Sequence, residues 1–123
     1  MKTIRLCGKE YPLRFSLRVV KACEERYGSL EHMFDAVQGK TGEGNLSIVD
    51  DCLWLLTGML DAGARYAELN GMACDEPPDQ ETLLDALDIP DMQRSIFAAI
   101  SGDSARSVET DPGKNGEGAA AEG

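Results

Sequence analysis

The residues that could do chemistry in this chain are few and scattered. Four cysteines (Cys7, Cys23, Cys52 and Cys74) and one histidine, His32, are its only soft metal ligands. None forms a C-x-x-C pair, and a zinc site draws its ligands from such closely spaced groups, so the spacing argues against metal. Nucleophilic catalysis needs a base within hydrogen-bond reach of the nucleophile, and no motif sets a serine or cysteine beside His32. His32 falls on the polar side of a short helix, where it is solvated. The acidic pairs Glu24-Glu25 and Asp50-Asp51 point to different sides of their helices, because helical neighbours are about 100° apart, and so form no dyad. A calcium loop of the D-x-D-x-D-G kind is missing from the sequence. Gly39-Lys40-Thr41 has the look of a phosphate loop, yet the pattern needs a further glycine upstream; Ala36 and Val37 are not glycine, and no buried strand precedes. The sequence therefore offers no catalytic, cofactor-binding or metal-ligating residue and implies no cofactor.

Bulk properties point the same way. With 123 residues the chain is about one domain, and a hydrophobic share of 42% suffices for one core. A net charge of -10 and a pI near 4.4 argue against a nucleic-acid partner and favour a basic protein segment. Acidity also serves solubility whatever is bound. The start, MKTIRLCGKE, lacks the apolar core of a signal peptide. The longest apolar run, Cys52 to Leu56, is far short of the roughly 20 residues that span a bilayer. These features predict a soluble cytoplasmic protein with no membrane association, and free cysteines that act as small hydrophobes.

The elements that must position everything else follow from periodicity. Thr3 to Leu6 and Tyr11 to Phe15 alternate apolar with polar around Gly8-Lys9, which predicts a hairpin with Tyr11, Leu13 and Phe15 on one face. Pro12 confines its strand to an edge, and a lone hairpin must pack on helices. Ser16 caps a helix to Tyr27 that Gly28 stops, and Ser29 caps a shorter one carrying Leu30, Met33, Phe34 and Val37. After the glycine-rich connection Gly39 to Asn45, the longest helix spans Ser47 to Asn70, capped by Ser47 and closed by Gly71. Its core face holds Val49, Cys52, Leu53, Leu56, Met59, Leu60, Gly63 and Ala67. Pro77-Pro78 breaks the chain. Asp79 then caps a helix with Leu83, Leu84 and Leu87, and Pro90 opens a last one with Met92, Ile96, Phe97 and Ile100 inward, ending by Gly102. The expected fold is mainly α, a small N-terminal β-hairpin packed on a bundle of about four to five helices. Residues 1–101 form this domain, and 102–123, with one valine as the only large apolar residue, form a disordered tail.

Trp54 falls outside the core stripe of the long helix, beside Asp50, Asp61 and Arg65, with Leu55 and Leu69 between the two faces. An off-stripe tryptophan either packs under the C-terminal helices or marks a contact surface, and both readings stay open.

The stretch Tyr11 to Val37, YPLRFSLRVVKACEERYGSLEHMFDAV, resembles the tail assembly chaperones of long-tailed phages and prophages. The residues that carry the resemblance are Tyr11, Pro12, Leu13 and Phe15 in the strand, Glu24 or Glu25 with Tyr27 and Gly28 at the helix end, and a long helix after a variable loop. The resemblance implies a non-enzymatic cytoplasmic chaperone, not retained in the virion, that binds the tape measure protein and assists assembly of the tail tube protein. On that reading Trp54, Leu55 and Arg65, assigned from helical geometry, are the partner-binding candidates. Other readings are a small acidic regulatory adaptor and a minor structural component of the tail. The resemblance further implies a longer product made by ribosomal slippage, for which codons 112 to 115 would supply the junction.

Overall fold

The computed structural model describes residues 2–42 and 44–109, with side chains over 3–42 and 44–102. Its elements are β1 (Lys2–Leu6), β2 (Lys9–Leu13), α1 (Leu17–Tyr27), α2 (Leu30–Val37), α3 (Asn45–Leu69), α4 (Gln80–Ala86) and α5 (Ile89–Glu109). The fold is thus mainly helical with an N-terminal antiparallel hairpin, as the periodicity predicts.

The hairpin turns one residue earlier than expected. Cys7 and Gly8 both have positive φ (52° and 83°), the backbone of a two-residue type I′ turn that matches strand twist, and Leu6 pairs with Lys9. Phe15 consequently lies beyond the strand, although it still packs against the core. Counting from the turn, Thr3 opposite Pro12 is a non-hydrogen-bonded pair, so the missing proline N–H takes nothing from the ladder. The same parity aims the Pro12 carbonyl outward, toward α3. There the backbone continues into a bond from Arg14 N–H to the Met59 carbonyl, 3.2 Å away.

Local capping runs as the residue types dictate. Ser16 Oγ accepts from Val19 N–H at 3.3 Å, Ser29 Oγ from His32 N–H at 3.1 Å, and Asp79 Oδ1 from Thr82 N–H at 2.9 Å. The Thr82 bonds hold the Asp79 carboxyl below its ordinary pKa. Gly28, with φ 88°, closes α1 through its N–H to the Glu24 carbonyl at 2.8 Å. At α3 the expected cap fails: the helix begins at Asn45, its N-cap is Gly44, and no side chain caps it. Ser47 lies inside the first turn and its hydroxyl donates to Asp51 Oδ2 at 3.5 Å. Its other end behaves as expected, with Gly71 at φ 68° after Asn70.

The last helix also differs. It runs past Gly102 to Glu109, starting behind an Asp88 cap whose Oδ1 accepts from Asp91 N–H at 2.8 Å while Asp91 reaches back to Asp88 N–H. Residues 110–123, including the slippage junction at 112–115 and most of the expected disordered tail, lie outside the described residues. Of the leucines of α4, Leu83 takes the core position and Leu84 is half exposed.

The core is organised by α3, which touches β2, α1, α2, α4 and α5. Cys52, Leu53, Leu55, Leu56, Met59, Leu60 and Ala62 are all buried, an arc too wide for a single stripe. Three helices meet at the Val37 carbonyl at the end of α2. It accepts from Gln93 Nε2 of α5 at 2.8 Å and lies 3.5 Å from Cys52 Sγ of α3. Burial pushes the Cys23 and Cys52 thiols up to about 11, which keeps both neutral and apolar.

Candidate functional site

The three partner-binding candidates come together, though not as three exposed side chains. Trp54, Leu55 and Arg65 line one groove between α1 and α3, of about 280 Å³, with Gln80 at its α4 end. Leu55 is 1% exposed. It is therefore a correction to the surface assignment: the side chain belongs to the core and reaches the groove only as its floor, together with Val19, Ala22 and Ala62. The physical reason is that α1 covers a second face of α3, so a position off the main stripe is still enclosed. Trp54 is half-buried and Arg65 is exposed.

The tryptophan does not lie under the C-terminal helices. Its ring meets Tyr27 of α1 edge-on, 5.8 Å between centroids and 77° between planes. The Arg26 guanidinium sits over the indole at 4.7 Å and over the Tyr27 ring at 5.5 Å. Below them Tyr27 donates its hydroxyl to Asp51 Oδ1 at 2.7 Å, and Arg26 Nη2 lies 3.8 Å from the same oxygen. Burial, reinforced by the Asp51 carboxylate, raises the Tyr27 pKa well above its ordinary 10.0. This cluster fixes the indole as a wall. A carboxylate expected to be merely one of a divergent acidic pair, Asp51, is what anchors it, while Asp50 points to solvent.

Around the apolar floor the rim is charged. Arg18 lines the α1 side and Arg65 the α3 side, with Asp61 the one carboxylate of the lining. Neither arginine makes an ion pair among the described residues. Thr57, also in the lining, has a hydroxyl shut off from solvent without a hydrogen-bond partner among the described residues. Gly58 completes the α3 wall, and a Cβ built there would meet nothing within 4 Å. Beyond the groove Leu69, four positions after Arg65 and hence on the same helix side, is 85% exposed, and Leu17 beside Arg18 is 86% exposed.

From the sequence, no binding role falls to Arg18, Gly58, Thr57 or the Arg26–Tyr27–Asp51 anchor. A glycine in the interior of a long helix was the readable signal, since it costs about 1 kcal/mol relative to alanine. The anchor had none, because its members are joined only by the packing of α1 on α3.

No group of three or more His, Cys, Asp or Glu among the described residues is placed to hold a metal ion, and no described helix is long and apolar enough to cross a membrane. His32 is exposed, its Nδ1 3.2 Å from the Tyr27 carbonyl oxygen. What the arrangement can do chemically is bind: an apolar trough with an aromatic wall, bordered by two arginines, suits a side chain ridge of another polypeptide. No family model, no curated protein and no solved structure matches the chain.

Proposed function

We propose that this chain is a non-enzymatic assembly chaperone of phage tails, cytoplasmic and absent from the finished particle, which binds the tape measure protein and assists assembly of tail tube subunits. The observation that carries the reading is the open groove between α1 and α3, an apolar surface left uncovered, with Leu17 and Leu69 exposed beyond it. A tape measure protein is a long helix, and an apolar trough between two helices is the surface on which such a segment shields its own apolar ridge. The resemblance supports the same reading. Tyr11 and Leu13 are core residues of β2, Gly28 is the left-handed stop of α1, and Tyr27 braces the Trp54 ring, so the residues of the resemblance belong to the scaffold that packs around α3. The net charge of -10 keeps a complex with an aggregation-prone partner soluble.

Co-expression with the tape measure protein of the same phage tests it. The partner's soluble fraction rises with the wild-type chain, and an unchanged fraction removes the assignment. Trp54→Ala lowers the solubilising effect by about tenfold or more, as the loss of a buried aromatic anchor does, while its far-ultraviolet circular dichroism stays helical. A random-coil spectrum would show instead that Trp54 serves the core alone.

A further inference from the structure

Gly58 and Gly63 lie on one helix and raise one question with two answers. A Cβ at Gly63 would sit 2.1 Å from the Pro12 carbonyl oxygen and 2.5 Å from its carbon, so that glycine is required by the close approach of β2. At Gly58 nothing approaches, yet the helix interior carries the destabilising residue. What Gly58 does provide is a flat place on α3 in the groove wall, in the same lining as two arginines without ion-pair partners among the described residues. The two guanidinium groups are thus left to pair with carboxylates from outside the chain.

We propose that the α1–α3 groove is a docking site for an amphipathic helix of another protein, whose apolar ridge lies against Trp54 and Leu55, whose backbone closes on Gly58, and whose flanking carboxylates pair with Arg18 and Arg65. This rests on the chaperone reading for the helical nature of the partner and deepens it by assigning the partner's charge pattern. Local and global electrostatics separate here. The chain as a whole is strongly acidic and favours a basic partner at long range. The groove lining, with Arg18 and Arg65 against Asp61 alone, selects acidic residues beside the apolar ridge at contact range, within the screening length of roughly 8 Å. The bound segment accordingly carries Glu or Asp along the edges of its ridge and Lys or Arg on its far side.

The test uses the full chain and a synthetic helix of about 20 residues, with leucines at i, i+3, i+4 and i+7 bordered by glutamates and lysines on the opposite face. Its twin exchanges the bordering glutamates for lysines. Trp54 is the only tryptophan, so its emission reports occupancy of the groove directly. The glutamate-bordered helix shifts that emission saturably, and the twin binds about tenfold more weakly. The R18E R65E double variant reverses the preference, and G58M abolishes the shift while circular dichroism is maintained and the urea midpoint is not lowered. Equal binding of the twins, a shift insensitive to G58M, or no saturable shift overturns the proposal. So does a Trp54 emission that depends on protein concentration without peptide, which would mean that a second copy fills the groove. The two levels separate cleanly. Tape measure solubility that is raised equally by wild type and G58M keeps the chaperone and removes the groove from it. Peptide selectivity without any effect on the tape measure protein keeps the groove and removes the chaperone.

Discussion

The two long sides of α3 are built from the same residue classes and end in opposite states. Toward β2 the helix is sealed: Gly63 admits the Pro12 backbone, Arg14 N–H bonds the Met59 carbonyl, and Met59 and Leu60 are buried. Toward α1 it is sealed only at one end, where Arg26, Tyr27, Asp51 and Trp54 lock together, and beyond Trp54 the helices part around Gly58. The difference teaches that a glycine in a helix has to be read against what faces it. On the sealed side glycine is a condition of folding; on the open side it leaves a surface unfilled, at a cost in stability that the fold itself does not recover.

The largest expected effect breaks the sealed side. Gly63→Ala forces the β2 backbone off α3 and costs about 3 kcal/mol or more, read as a lowered urea midpoint. If that midpoint is unchanged, the hairpin is not docked as described.

A second effect follows from the thiols in the sealed interior. The unfolded chain ionises Cys23 and Cys52 from their ordinary 9.0, whereas the folded chain holds them neutral up to about 11. Raised native values contribute stability that is complete below pH 9 and is lost as pH rises through 11, with Tyr27 adding to the loss above its ordinary 10.0. Urea midpoints therefore fall steeply over this alkaline window, by a stability of order 1 kcal/mol for each thiol. The fall is shallower in a C23A C52A variant, and an equal slope would mean that the thiols are not enclosed.

The smallest effect has the opposite sign and sharpens the contrast most. Gly58→Ala places its methyl in open space and removes backbone freedom from the unfolded chain, so it raises stability by about 0.4 to 1 kcal/mol, seen as a higher Tm. Two Gly→Ala changes on one helix thus move stability in opposite directions. A destabilising Gly58→Ala would show that the groove is occupied within the chain.

What could be read directly from the residues was local. Ser16, Gly28, Ser29 and Asp79 act through bonds that close within a turn, so their residue types fix the ends of α1, α2 and α4 wherever those helices pack. Ser47 was misread for a related reason: Asn45 and Leu46 extend α3 backward from the glycine-rich connection, and a serine inside the first turn bonds a side chain ahead of it instead of capping. The candidate site was half legible. Helical angles separated Trp54 and Arg65 from the main stripe, yet they also placed Leu55 outside the core, because a wheel assumes one buried face and α3 is covered from several directions. Periodicity therefore determined which elements form and which residues of each turn inward first. Only tertiary structure decided where α1 stops covering α3, since a groove is the distance between two elements far apart in the chain, and no property of either helix alone contains it.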